Sequence, residues 1–167
     1  MAEKYIKNSS GQLAEVEATV QSTGVSEAGK IVALDASGKL DSTIMPTGVG
    51  AQTQAMPASE ALTAGNLVNI WNDSGTTKAR KADASNGRRA MGFVLSGVSS
   101  GATATVYLDD SLTGLSSLTV GVPYYLSTGG GVSSTAPTTS GYISQEIGIS
   151  ASATVISFEP QQPITLA

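Results

Sequence analysis

This chain contains no cysteine and no histidine, so the two side chains that most often carry nucleophilic, acid/base and metal chemistry near neutral pH are missing. No disulfide or thiolate metal site can hold the fold, as expected of a protein made in a reducing cytoplasm. Charge is scarce as well: Asp, Glu, Lys and Arg make up 13% of the 167 residues, about half the usual share of a soluble domain. Much of the surface is therefore uncharged Ser, Thr, Gly and Ala, or is covered by a partner. The formal net charge of −4 argues against a general nucleic-acid binder, whose affinity rests on neutralised phosphates. No apolar run approaches the length that spans a bilayer, so no membrane partner is expected. The opening Met1-Ala2-Glu3-Lys4-Tyr5-Ile6-Lys7 lacks the apolar stretch of a secretory signal. Every Lys and Arg lies at or before Arg89, and beyond it the charged residues are Asp109, Asp110, Glu146 and Glu159. The two halves are built for different surroundings.

What is present is turn chemistry. Nineteen Gly and abundant Ser and Thr punctuate short β-branched runs, the pattern of many short strands joined by tight turns. The expected fold is all-β: a small β-barrel or sandwich, with two similar β-units as one possibility, preceded by an extended N-terminal arm with a β-hairpin. The expected boundaries are 1–55 for the arm, 56–160 for the β domain and 161–167 for a C-terminal tail. In the arm, Leu13 to Val20 alternates with the period of a half-exposed strand. Gly29 to Asp41 reads as two strand ends around an Asp35-Ala36-Ser37-Gly38 turn, and Met45 to Pro57 as an extended connection. So few large apolar side chains cannot offset the chain entropy of this segment unaided. From Leu62 onward strands are expected at Leu67–Trp71, Thr77–Arg80, Ala90–Leu95, Thr103–Leu108, Pro123–Leu126, Tyr142–Ile149 and Ala153–Phe158.

An internal echo supports the two-unit possibility. Leu62-Thr63-Ala64-Gly65 matches Leu118-Thr119-Val120-Gly121 at an offset of 56, which also carries Gly92 onto Gly148, and Ala104-Thr105-Val106 matches Ala153-Thr154-Val155 at an offset of 49. The competing explanation is similar hairpin grammar used twice.

Candidates for catalysis are few. Asp109 and Asp110 are adjacent carboxylates, but strand neighbours point to opposite faces, and Ser111 with Gly114 reads as a solvated turn. Glu15 and Glu17 share a strand face without a third ligand or base. Ser37-Gly38-Lys39 reads as a turn rather than a Ser–Lys dyad. Gly48-Val49-Gly50 and Gly129-Gly130-Gly131 are not followed by a helix that could hold an anion. No enzymatic activity, cofactor or metal is expected.

The concentrated charge feature is Lys78 to Arg89. Lys78, Arg80, Lys81, Arg88 and Arg89 form either a contact to an acidic protein surface, where Arg gives planar bidentate bonds to carboxylates, or a solvated hairpin that blunts a sheet edge. Nucleic acid fits less well because no aromatic residue interleaves the run. Trp71 and one of Tyr124 and Tyr125 are expected in the core, the alternative for Trp71 being an exposed platform for a carbohydrate.

The runs Leu62–Ile70, Lys78–Ala84, Gly92-Phe93-Val94, Tyr124–Ser127, Gln145–Gly148 and Pro160–Ile164, with Gly29–Asp35 and Gly38–Asp41 upstream, resemble small β-rich virion proteins of tailed bacteriophages, of the capsid decoration (cement) type. The resemblance carries over no catalytic residue. It implies a structural protein on the outer capsid surface of the virion, a homotrimer whose partner is the major capsid protein and whose N-terminal arm clamps neighbouring subunits and stabilises the head. The alternative is a head or tail fibre protein that binds a host-surface glycan.

Overall fold

A computed structural model describes residues 3–45 and 50–167. The chain divides into two compact units, Met1–Gly50 and Ala51–Ala167. The described residues are all-β, with fourteen strands, three short 3-10 turns and no α-helix.

The first unit is built on a hairpin of β1 (Lys4–Ser9) and β2 (Gln12–Glu17), paired antiparallel from Lys4↔Glu17 to Ser9↔Gln12. Ser10 and Gly11 form its turn with positive φ of 54° and 86°, matching the right-handed twist of the strands. Asn8 Oδ1 accepts the Gly11 N–H at 3.0 Å. Beyond the hairpin the chain is tied by backbone bonds, with Thr19 N donating to Ile31 O and Ala33 N to Thr19 O, both at 2.9 Å. The Asp35–Gly38 turn forms, its Asp35 Oδ1 accepting from Ser37 N and Lys39 N at 2.8 and 2.9 Å. The strand ends expected around it do not: Val32 makes a single parallel bridge to Thr19. Thr19 is the one buried residue described in this unit.

The second unit holds two five-stranded antiparallel sheets. The first contains β3 (Thr53–Pro57), β4 (Leu67–Asp73), β5 (Thr76–Lys81), β6 (Gly92–Phe93) and β7 (Thr103–Tyr107), in the order β3-β7-β6-β4-β5. The second contains β8 (Ser111–Leu112), β9 (Pro123–Leu126), β10 (Val132–Ser133), β12 (Glu146–Ser152) and β13 (Val155–Phe158), in the order β8-β13-β12-β9-β10. Strand for strand the two orders are the same. The offset of 56 maps Gly65 N→Val94 O (2.8 Å) onto Gly121 N→Ser150 O (2.9 Å), and Val94 N→Asn66 O onto Ser150 N→Val122 O (both 3.1 Å). The pair Val68↔Gly92 likewise maps onto Tyr124↔Gly148. The echo at Leu62 and Leu118 is therefore a duplicated structural unit. Gly92 and Gly148 are required by close approach: an added Cβ would lie 2.5 Å from Tyr107 O in one copy and 1.8 Å from Ser157 O in the other.

Neither sheet closes into a barrel. In the first, the segment after β3 reaches β5 through one parallel bridge, Ala58↔Ala79, with Ser59 N donating to Ala79 O at 2.8 Å. In the second, β10 is only two residues long. Two cores result. One lies within the curl of the first sheet and includes Met56, Val68, Val94 and Val106. The other is shared by both copies and includes Leu67, Phe93, Leu112, Leu126, Ile147 and Ile156. Phe93 stacks on Tyr107 with centroids 5.4 Å apart and meets Phe158 of the other copy edge-on at 5.1 Å. The buried Gln145 side chain also joins the copies, accepting from Ala90 N at 2.7 Å and donating to Ala90 O and Gln161 O, both at 3.0 Å.

The boundary at 50/51 precedes the expected 55/56 because β3 pairs along its length with β7, from Thr53↔Tyr107 to Pro57↔Thr103. The extended connection thus ends as a sheet strand, and its residues 46–49, which include Gly48 and Val49 of the Gly48-Val49-Gly50 motif, lie outside the described residues. The last residues are also tied in: β14 (Ile164–Thr165) pairs with β11 (Ile143–Ser144).

Candidate functional site

The basic stretch falls on the β4–β5 hairpin and the loop that follows it. Ser74 and Gly75, with φ of 53° and 91°, make its two-residue turn, and Asn72 Oδ1 accepts the Gly75 N–H at 2.6 Å. Register places Trp71 opposite Lys78 and Asn69 opposite Arg80. Strand alternation then puts Asn69, Trp71, Asp73, Lys78 and Arg80 on one face. That face starts in the shared core at Leu67 and emerges from it along the strand, so its outer residues are half-buried. Trp71 belongs to neither core, contrary to the expected packing role. Of the tyrosine pair, Tyr124 is buried and Tyr125 is partly exposed, as alternation requires.

An open cavity of about 540 Å³ lies over this face, lined by Trp71, Asp73, Lys78 and Arg80 of the hairpin together with Ser59, Glu60, Arg88 and Ser100. Lys78 Nζ pairs with Asp73 Oδ2 at 2.7 Å. Arg88 Nη1 approaches Glu60 Oε1 at 3.8 Å, an oxygen that also accepts the Lys81 N–H at 3.0 Å. The Trp71 indole N–H points to Ser59 Oγ at 3.4 Å. Arg80 is fixed on two sides. Its guanidinium carbon sits 4.4 Å from the Trp71 ring centroid, and its Nε donates to Asn69 Oδ1 at 2.9 Å. Asn69 is itself buried and held by donation from Nδ2 to Arg89 O at 2.9 Å. Burial and, secondarily, the Arg88 charge lower the Arg80 pKa, opposed by Glu60; the guanidinium remains charged at ordinary pH.

Of the five basic residues singled out in the sequence, Lys78, Arg80 and Arg88 line the cavity and Lys81 and Arg89 do not. Lys81 follows Ala79 on the opposite strand face. Sequence reasoning did not pick out Glu60, Asp73 or Asn69, although the period-2 series Asn69, Trp71, Asp73 carries the signal for the strand members.

Asp83 caps the 3-10 turn at Ala84–Asn86, which Gly87 ends in the left-handed conformation. Asp83 Oδ1 accepts from Ser85 N at 2.9 Å and Oδ2 from Gly129 N at 3.0 Å. Burial raises its pKa, but the bonds from Ser85 and Gly129 and the Arg88 charge outweigh that and hold it below the usual carboxylate range. Gly129 to Gly131 is thereby a turn stapled to the first copy. Asp109 Oδ1 accepts Gln52 N and Asp110 Oδ1 accepts Ser111 N, both at 2.6 Å. Both carboxylates cap backbone. Glu15 bonds Lys4 across the β1–β2 hairpin. No group of three or more His, Cys, Asp or Glu able to hold a metal occurs among the described residues.

No protein-family profile matches the chain, and no curated protein matches it. Among solved structures it is similar to the head fiber gp8.5 N base of bacteriophage phi29, at 13% identity with a TM-score of 0.45, over 66% of this chain and 95% of that one. At that distance no residue role transfers.

Proposed function

We propose that the chain is a structural protein of a tailed-phage virion that decorates the outer capsid surface and stabilises the head, without enzymatic activity. The sequence resemblance to decoration proteins supports the class. The observation that carries the mechanism is the first unit. Nine of the twelve exposed large hydrophobic residues, among them Ile6, Leu13, Val25, Ile31 and Leu34, fall in its described residues. A segment of this kind gains from burial against another protein, at roughly 25 cal/mol per Å² of apolar surface covered. Among the described residues its two-stranded sheet also pairs with no further strand, which leaves its outer edges open to strand addition. In this reading the partner is the major capsid protein, the second unit sits on the shell, and association of three copies multiplies weak contacts into avidity. Binding only the assembled shell lowers the free energy of that state.

Co-sedimentation of the full chain and of a chain lacking residues 1–50 with purified capsids tests this. The full chain is expected to pellet with capsids and to raise their resistance to heat. The truncated chain is expected to keep its β-sheet circular dichroism and remain in the supernatant. Full retention of binding by the truncation overturns the proposal.

A further inference from the structure

The two copies in the second unit are not equally elaborated. In the second, the hairpin ladder pairs Leu126 with Val132 and stops. In the first, the corresponding hairpin runs on to the pair Asp73↔Thr76. The extra length carries Trp71, Asp73 and Lys78, and the cavity lies against it. The second copy has Ser127 where the first has Trp71, at the same offset of 56.

The chemistry of this cavity is specific in three respects. First, its charges leave one cation over: Lys78 is spent on Asp73 and Arg88 approaches Glu60, while Arg80 faces no carboxylate within ion-pair distance among the described residues. Second, Arg80 is held rigid by Trp71 and Asn69, and its two terminal amino nitrogens make no hydrogen bond among the described residues. A planar pair of free donors on a fixed guanidinium matches one carboxylate bidentately. Third, the remaining lining offers acceptors and small hydroxyls, Glu60, Asp73, Ser59 and Ser100, beside an indole ring. Such groups suit a polyol with one apolar face. The two carboxylates in the lining disfavour a ligand carrying several negative charges, such as an acidic peptide.

We propose that this cavity is a binding site for a carboxylated sugar, a uronic acid unit of a polysaccharide. Its carboxylate pairs with the terminal nitrogens of Arg80, its hydroxyls donate to Glu60 and Asp73, and its ring packs beside Trp71. The site lies within residues 58–101 and needs neither a capsid nor residues 1–50, so it stands or falls separately from the decoration role.

Trp71 is the only tryptophan, so its emission reports the site in the full chain. Titration with methyl β-glucuronide and with an aldotetraouronic acid, which carries a single carboxylate among neutral sugars, is expected to give a saturable emission change, stronger per mole for the oligomer. The neutral methyl β-glucoside, acetate and a triglutamate peptide are each expected to bind at least about tenfold more weakly. Arg80→Lys, which keeps the charge but loses the planar fork, is expected to weaken glucuronide binding about tenfold with unchanged circular dichroism. Should that variant misfold, amide chemical-shift mapping of the unaltered protein serves instead, with shifts expected within residues 58–101. The proposal is overturned by the absence of saturation, by equal affinity for the glucoside or acetate, by tighter binding of triglutamate, or by shifts located elsewhere.

Discussion

Residues 3–45 and residues 51–167 are written in the same grammar of short strands and Ser, Gly and Asn turns, yet they solve the problem of apolar surface in opposite ways. The larger unit folds two copies of one sheet layout against each other, so that Phe93, Leu126, Ile147 and Ile156 lose their contact with water. The smaller one has a full hairpin ladder, a Thr19 bridge and a carboxylate-capped turn at Asp35, but buries no large side chain among its described residues. Hydrogen bonds tie its backbone path, and each contributes only about 0.5–1.5 kcal/mol net. The lesson is that backbone order and an interior are separable. The first can be supplied locally, whereas the second needs a facing apolar surface, here the curl of the first sheet upon itself and the other copy of the sheet.

That contrast is most directly challenged by Phe93→Ala. Loss of its contacts with Tyr107 and Phe158 is expected to cost about 3–5 kcal/mol, measured by urea denaturation followed at Trp71. A loss below 1 kcal/mol would mean that the shared core does not bind the copies together. Next in size is Asp83→Ala, which removes a cap and the tie to Gly129 and is expected to cost about 0.5–2 kcal/mol at pH 7. Because the folded pKa of Asp83 lies below its ordinary value of 3.8, its contribution is complete well above that value and fades as the pH falls through the lower folded pKa. The difference in melting temperature between the two proteins should therefore shrink on acidification below about pH 4. The smallest effect is expected from Leu13→Ser combined with Leu34→Ser. Both residues are exposed, at 77% and 56%, so unfolding free energy should change by no more than about 0.5 kcal/mol per site. A larger loss would show that the first unit has an interior after all.

Much of this was legible in the residues. The Leu62–Gly65 and Leu118–Gly121 echo marked the duplication because both segments make the same turn before equivalent strands, and Gly92 and Gly148 marked the points where backbones approach. The turn at Asp35 declared itself through side-chain chemistry, whereas Ser111, expected in a turn, opens β8. Less visible were β8, β10 and β14, each two residues long and below the length at which alternation has meaning. Barrel and sandwich could not be separated in advance, because the difference rests on one bridge at Ala58 and Ala79. Trp71 was misplaced for a related reason: alternation assigns a face to it, but only tertiary structure reveals that this face outruns the shared core. The cavity shows the same limit, since Glu60 and Ser100 reach it from loops distant in sequence.

A chain that spells out one five-strand layout twice also carries a hazard during its own maturation. While the polypeptide is still assembling, β9 can compete with β4 for β6, and β13 with β7, because equivalent edges offer the same donors and acceptors. Divergence between the copies counters this. The long β4–β5 hairpin has no counterpart of equal reach, and Tyr124 stands where Val68 does, so an exchanged strand would arrive with the wrong bulk. The asymmetry that opens the cavity thus also makes each strand a poorer fit in the other sheet than in its own.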